Sequence, residues 1–279
     1  MLSPVRKKLA VEHAKTILGV SERAACRALS VNRNTVRNAN DKREKDKEIR
    51  ERIVGLAEEY GRVGYRMVTS MLRNQGEVIN HKKVERIWRE EGLKLPQKQP
   101  KKKRIWLNDG SCVRLRAEYE NHVWSYDFME DRTSNGRKVR ILNVIDEYTR
   151  ECLASIPRRS FKGAAVIEVL ADLMFKRGFP EYLRSDNGSE FTNKKIRKWL
   201  EKTGVITAFI EPGSPWENGY IESFNSRMRD EFLNGEIFGN LYEITVLLTR
   251  WVRYYNEIRP HSSLKGKPPA PRVTIPITA

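Results

Sequence analysis

Three carboxylates, Asp127, Asp186 and Glu222, carry the strongest chemical signal in this chain. Asp127 lies in the middle of the alternating run His122-Val-Trp-Ser-Tyr-Asp-Phe-Met129, between aromatic neighbours. Aspartate is disfavoured in strands, and an unpaired carboxylate is costly to bury, so its position there favours a task over an accident. Asp186 opens Asp-Asn-Gly just beyond a short predicted strand, Glu181 to Arg184, where the ligands of α/β sheets gather. Taken singly, Asp-Asn-Gly is an ordinary turn sequence and one helical glutamate is an ordinary solvated charge. Together the three suit a more specific purpose. Oxygen-rich carboxylate sites with open water positions hold Mg2+ or Mn2+. Two such ions, roughly 3.5–4 Å apart, clamp the attacking and leaving oxygens of an in-line phosphoryl displacement. That chemistry requires carboxylates from separate elements to converge on one point.

The elements that must position them follow from periodicity. From about residue 120 the pattern is β, with Val123, Ser125, Asp127 and Met129 on one face and Trp124, Tyr126 and Phe128 on the other. Val139 to Ile145 and Cys152 to Ile156 read as two further strands of an antiparallel meander. A helix from Ala164 to Phe175, the strand Glu181 to Arg184, a helix from Lys194 to Lys202 and a strand from Val205 to Ile210 follow. Helices over Glu217 to Phe232 and Tyr242 to Tyr255 complete the pattern. Three strands followed by alternating helix and strand predict an α/β domain with a mixed sheet. On the first of the last two helices, Glu222, Asn225, Ser226 and Arg229 share a stripe beside the apolar face. Arg229 stands two turns from Glu222, roughly 10 Å along the axis, which would let it grip a phosphate entering a metal site. Its plainer reading is a surface arginine beside Asp230 and Glu231.

The amino-terminal part has a different character. Residues 1–110 carry 27 Lys/Arg against 14 Asp/Glu, whereas 111–279 carry 26 against 22, so most of the formal net charge of +17 is concentrated in the first part. Such a surplus points to a polyanionic partner, a nucleic acid or an anionic membrane surface. A stripe of Val11, Ala14, Ile17 and Leu18 ends at Gly19; Ser21 caps a second helix and Asn32 a third, running Arg33-Asn34-Thr35-Val36-Arg37. Two short helices joined by a tight turn suit a helix-turn-helix whose last helix enters the major groove, with Arg33, Asn34 and Arg37 as base readers. A small helical bundle with a solvated basic face fits that segment equally well. A second three-helix pattern follows, built on Ile53, Leu56, Ala57 and Tyr60, then Met67, Val68, Met71 and Leu72, then Val84, Ile87 and Trp88 behind an Asn80 cap. It turns Lys82, Lys83 and Arg86 outward, and two such units in tandem favour DNA binding over a scaffold. The Pro-broken run after it, with Lys101, Lys102, Lys103 and Arg104, is a linker that can also follow a phosphate backbone. The expected organisation is a helix-turn-helix module over 1–45, a second over 46–95, a basic linker over 96–115, a catalytic core over 116–235, and a helix and tail over 236–279.

The spacing of the carboxylates also carries a resemblance. Thirty-five residues separate Asp186 from Glu222, and Arg229 lies seven after it. This is similar to the DDE pattern of the retroviral integrase superfamily. The surrounding words agree: Trp124-Ser-Tyr-Asp127, Val144-Ile-Asp-Glu-Tyr-Thr-Arg150, Ser185-Asp-Asn-Gly-Ser-Glu-Phe191 and Pro215-Trp-Glu-Asn-Gly-Tyr-Ile-Glu-Ser-Phe-Asn225. More specifically, Tyr60-Gly-Arg-Val-Gly-Tyr-Arg66, Arg86-Ile-Trp-Arg-Glu-Glu-Gly-Leu93 and Tyr255-Asn-Glu-Ile-Arg-Pro-His-Ser-Ser-Leu264 resemble the second-frame product of the insertion sequence three family of bacterial transposases. The resemblance implies an RNase H-like core with Asp127, Asp186 and Glu222 as ligands of two Mg2+ or Mn2+ ions. It implies an enzyme that frees a 3′-hydroxyl at an element end and uses it to attack another phosphodiester, with no covalent protein intermediate. Double-stranded DNA, further copies of the chain assembled on it, and an upstream-frame protein are the partners it implies.

Other chemistries find less support. Cys26, Cys112 and Cys152 are isolated and odd in number, and the four histidines lie far apart, so neither a disulfide framework nor a structural zinc site is expected. No apolar run approaches the ~20 residues of a membrane span, and the chain reads as soluble and intracellular. Asp146 and Glu190 are accounted for by strand-end turns, Glu130 and Asp131 follow Asp127 too closely to add ligands, and His261 is expected to serve structure or DNA contact. Two competing readings are a nuclease of the same fold that hydrolyses without joining, and a DNA-binding regulator whose carboxylates are structural.

Overall fold

The computed structural model describes residues 4–37, 46–95, 115–185, 194–209 and 218–270. The chain divides into two compact units, Met1–Glu59 and Tyr60–Ala279.

In the first unit, α1 (Pro4–Leu18), α2 (Glu22–Ala28), α3 (Arg33–Arg37) and α4 (Lys47–Glu59) are helical. The expected caps form. Ser21 Oγ accepts from the Ala24 amide at 3.2 Å, and Asn32 Oδ1 accepts from the Asn34 amide at 2.8 Å. Each satisfies one of the amide groups that a helix start leaves without a partner. The apolar stripe of α1 is shorter than expected. Val11 is buried against Ala25, Cys26 and Val36, with Ala14 at the margin, but Ile17 and Leu18 are exposed. Val20 and Val31, from the connecting turns, also pack against that cluster.

The second unit begins with α5 (Tyr65–Asn74) and α6 (His81–Glu90), the latter capped by Asn80, whose side chain accepts from the Lys82 amide at 2.9 Å. Val68, Met71 and Leu72 on α5 and Val84, Ile87 and Trp88 on α6 are buried, as their spacing predicts. Then come β1 (Val123–Arg132), β2 (Lys138–Asp146), β3 (Cys152–Arg158), α7 (Gly163–Arg177), β4 (Tyr182–Ser185), α8 (Lys194–Thr203), β5 (Ile206–Phe209), α9 (Gly219–Glu231) and α10 (Leu241–Glu257). The sheet runs β3-β2-β1-β4-β5. β1, β2 and β3 form an antiparallel meander, while β4 is parallel to β1 and β5 to β4. This is the RNase H-like order that the resemblance implied, with β1 at the centre.

Alternation along β1 sends its residues into two separate cores. Trp124 and Tyr126 pack with Leu170, Leu173, Met174, Ile196 and Leu200 under α7 and α8. Met129 joins Ile141, Ile221, Phe224, Met228, Trp251 and Tyr255 under α9 and α10. Asp127 therefore belongs to the face that α9 covers.

The end of α10 and the residues after it hold α9 and β3 in place. Arg259 and Glu231, both largely buried, form a two-pronged ion pair with Nε to Oε2 at 2.7 Å. The Asn256 amide makes two hydrogen bonds of 2.9 Å with the backbone of Cys152, beside the irregularity in β3 pairing. His261 meets the Tyr255 ring edge-on at 4.7 Å. The segment starting at Tyr60 docks on the same region, since Tyr60 stacks on Tyr254 at 4.5 Å and Arg62 approaches Asp230 at 3.7 Å. Asn74 donates to the Gly266 carbonyl at 2.9 Å. Gly266 has φ +82, and a Cβ there would lie 3.0 Å from Ser70 Oγ, so both backbone shape and close approach call for glycine.

Candidate active site

Asp127 stands opposite Asn143 in the β1–β2 pairing. Its Oδ2 accepts a hydrogen bond from Asn225 Nδ2 at 2.8 Å, and its Oδ1 accepts from the Phe128 amide at 2.7 Å. Asn225 lies on α9, whose buried residues Ile221, Phe224 and Met228 seat it on the sheet. Glu222 is three residues earlier on the same helix, hence one turn away and on the same side, and it is exposed. The structure thus brings the Asp127 carboxylate and the turn of α9 that bears Glu222 to one edge of the helix–sheet seam.

The polar contacts continue behind Asp127. Asn143 Nδ2 donates to Asn225 Oδ1 at 2.8 Å, and Ser155 Oγ donates to Asn143 Oδ1 at 2.7 Å. Asn143 is fully buried. The sequence reading passed over it, although the signal that singled out Asp127 was present: one polar residue inside the apolar strand Ile141-Leu-Asn-Val-Ile145.

The end of β4 is held beside the same stretch of β1. Ser125 pairs with Arg184, so β4 ends at Ser185, one residue past that pair. Both nitrogen-to-oxygen distances from Arg184 Nη1 to the Glu147 carboxylate are 2.7 Å, Arg184 Nη2 donates to the Leu115 carbonyl at 2.8 Å, and the Ser125 hydroxyl also donates to Glu147. Arg184 and Glu147 are buried, so the pair is screened little by solvent. These residues were also missed, and they fix the relative height of β1 and β4. Asp186 lies outside the described residues. Among the described residues no three His, Cys, Asp or Glu side chains converge as a metal-binding group. Asp127 and Glu222 are hard oxygen donors, the type that Mg2+ and Mn2+ take.

Arg229 is engaged with the protein. Its Nη2 donates to the Glu130 carbonyl at 2.8 Å and its Nη1 lies 3.8 Å from Asp131 Oδ2, with the side chain 42% exposed. It ties α9 to the strand just past Asp127 and leaves part of its guanidinium to solvent. Asp146 is a turn residue, as expected: its Oδ1 accepts from the Tyr148 and Thr149 amides at 2.7 and 3.0 Å. His261 is buried and packs edge-on against Tyr255.

The expected DNA contacts fall in two places. In the first unit, Arg33 and Arg37 both reach Glu22 Oε1, at 3.2 and 2.9 Å, and these bonds hold the Glu22 carboxyl below its usual range. The two guanidiniums are thereby aligned along one side of α3, each about half exposed, with Asn34 between them in sequence. In the second unit, Lys82 is exposed and Lys83 half-buried in the first turn of α6, while Arg86 pairs with Glu90 at 2.8 Å. Lys101, Lys102, Lys103 and Arg104 lie outside the described residues, as does Glu190.

Comparisons with known proteins converge on the same region. The integrase core domain family matches residues 117–215, and a second integrase core domain family matches 203–269. An HTH-like domain family matches residues 44–102. The insertion element IS476 uncharacterized 39.2 kDa protein of Xanthomonas euvesicatoria is 36% identical over 270 residues, covering 96% of this chain and 77% of that protein. The insertion element IS407 uncharacterized 31.7 kDa protein of Burkholderia multivorans is 34% identical over 253 residues, covering 91% and 90%. The putative transposase InsK for insertion sequence element IS150 of Escherichia coli K12 is 28% identical over 242 residues, covering 83% and 84%.

Proposed function

Given that the chain belongs to the insertion sequence three family of DDE transposases, with an integrase core and an HTH-like DNA-binding domain, we propose that Asp127, Asp186 and Glu222 are the residues that perform its DNA chemistry. The family is dependent on a divalent metal; two ions of Mg2+ or Mn2+ held by these three carboxylates are the form we assign to this chain. The observation that carries the reading is the hydrogen bond from Asn225 to Asp127, which joins the central strand to the helix bearing Glu222. A half-buried Asp127 held on a hydrogen-bonded support, and an exposed Glu222 one turn from Asn225 on α9, are suited to hold ions from two elements. When bound, the ions supply charge stabilisation at the attacking and leaving oxygens of an in-line displacement.

The balance of the reaction is simple. In cleavage, a water oxygen forms a bond to phosphorus at the element end, the bond from phosphorus to the 3′-oxygen breaks, and that oxygen takes a proton to become a free 3′-hydroxyl. In joining, that hydroxyl forms a new phosphodiester with a target phosphorus, loses its proton to solvent, and displaces the target's own 3′-oxygen, which takes a proton and leaves as a 3′-hydroxyl. Asp127 and Glu222 would supply the oxygen donors that hold the ions beside the reacting phosphate; Asn225 keeps the Asp127 carboxylate from turning away.

Sequence-specific capture of element ends is assigned to Arg33, Asn34 and Arg37. Phosphate contacts are assigned to Lys82, Lys83, Arg86, Lys101, Lys102, Lys103, Arg104 and the exposed part of Arg229. The module boundaries at 45, 95, 115 and 235 belong to the same proposal, as does action in the bacterial cytoplasm; no described helix is long and apolar enough to cross a membrane. Because two ends must be joined to one target, the working form is a homo-oligomer on DNA, assisted by an upstream-frame protein. Incubating the chain with end-labelled element DNA and Mn2+, and resolving 3′-hydroxyl ends from joined strands, tests the assignment. Both products are expected. Cleavage without joining would favour the plain nuclease, and DNA binding without either product would favour the regulator.

A further inference from the structure

Behind Asp127 lies a chain of side-chain hydrogen bonds whose direction is set at one end. An ionised carboxylate only accepts, so Asn225 must turn Nδ2 toward Asp127 and Oδ1 away from it. That orientation leaves Oδ1 needing a donor, and Asn143 Nδ2 supplies it at 2.8 Å. Asn143 in turn presents Oδ1 to the other side, where the Ser155 hydroxyl donates at 2.7 Å. The remaining contact of the Asn143 amide is Met228 Sδ at 3.8 Å, a weak acceptor. Four elements are spanned in this way: β3, β2, α9 and β1. Burying an asparagine in a strand otherwise made of Ile141, Leu142, Val144 and Ile145 is costly unless its polar atoms are paired.

We propose that Asn143 and Ser155 are positioning residues for the metal-binding carboxylate Asp127, acting through Asn225 and touching neither metal nor DNA themselves. The inference rests on the reading of Asp127 as a metal ligand. With the relay intact, the Asn225 amide cannot reverse without placing its oxygen against the Asp127 carboxylate and its nitrogen against the Asn143 amide. Asp127 Oδ2 is therefore held in one place before any ion arrives. Without the Asn143 donor, Asn225 is free to rotate and Asp127 Oδ2 loses its fixed support, while Oδ1 keeps the Phe128 amide. Removing an outer partner of a metal ligand typically weakens metal affinity about 10–100-fold.

The test is Mn2+ binding by the full chain without DNA, read from the loss of the free-ion electron paramagnetic resonance signal. Asn143→Leu is expected to raise the half-saturating Mn2+ concentration about tenfold or more. Ser155→Ala, a milder change at a half-buried site, is expected to raise it severalfold, and Ser155→Thr, which keeps the hydroxyl, to leave it near wild type. Asp127→Asn serves as the reference and should abolish the tightest binding. If Asp127→Asn has that effect while folded Asn143→Leu and Ser155→Ala retain wild-type midpoints, the relay is only structural and the proposal fails. Should Asn143→Leu not fold, the Ser155→Ala and Ser155→Thr pair decides alone. Unchanged Mn2+ binding in Asp127→Asn would instead overturn the assignment of Asp127 itself, and the relay with it.

Discussion

Acid should loosen the second unit through one histidine. His261 is 7% exposed, packs edge-on against Tyr255, and has no hydrogen-bond partner at Nε2. Burial, followed by the positive charges of Arg259, Arg227 and Arg150, pushes its pKa down from 6.5 to about 3. In the unfolded chain the ring returns to its ordinary value near 6.5. Between those two values the unfolded chain binds a proton that the folded chain excludes, so stability is lost as pH falls through the window. At about 1.4 kcal/mol per pH unit once below the unfolded value, lowering the pH from 7 to 5 costs about 2 kcal/mol through this residue. Replacing His261 with glutamine removes the titrating group while keeping a polar side chain of similar reach. Urea unfolding followed by tryptophan fluorescence, at both pH values, gives the comparison. The wild type should lose about 2 kcal/mol more than His261→Gln over that interval. Parallel losses in the two proteins would refute the reasoning and place the acid sensitivity elsewhere.

Three further outcomes are expected. Arg259→Met leaves Glu231 buried without its partner and should destabilise the chain by about 3–5 kcal/mol, measured by the same unfolding assay; a loss below ~1 kcal/mol would show that the clamp on α9 is dispensable. Arg229→Ala removes a half-exposed, charge-assisted bond to the Glu130 carbonyl and should cost about 1 kcal/mol while slowing joining, with Arg229→Lys recovering part of both. Normal joining by the alanine variant would confine Arg229 to the fold. Arg33→Ala and Arg37→Ala should each weaken binding to element ends by about 1–3 kcal/mol at fixed salt, read by fluorescence anisotropy, and unchanged affinity would remove α3 from base readout.

Much of the catalytic unit is legible in sequence because alternation and helical spacing there agree with burial. The run around Asp127 assigns Trp124 and Tyr126 to one core and Met129 to the other, as found. The caps at Ser21, Asn32 and Asn80 are legible for a related reason, since short polar side chains before a helix have one local job. What periodicity does not carry is which residue from a distant element fills a vacancy. Ile17 and Leu18 continue a correct helical stripe, yet they stay exposed while Val20 and Val31, from turns, pack against the cluster. Ser155 and Arg184 escape periodicity for that reason, their partners lying 12 and 37 residues away in sequence, whereas Asn143 carries a local signal as the one polar residue of an apolar strand. The tail word from Tyr255 to Leu264 was recognisable as a pattern, yet its work is mechanical: Asn256, Arg259 and His261 fasten α9 and α10 to the edge of the sheet.

The central claim is that Asp127, Asp186 and Glu222 act together on DNA without being needed to bind it. Its most direct test is a single panel of wild type, Asp127→Ala, Asp186→Ala and Glu222→Ala, each shown to be folded by circular dichroism. For each protein, binding to element-end DNA is measured without metal, and cleavage and joining are measured with Mn2+. The account predicts that all three variants bind within about twofold of wild type, a difference of only ~0.4 kcal/mol, and yield neither product. A folded variant that cleaves and joins at the wild-type rate would contradict it and exclude that carboxylate from the active site.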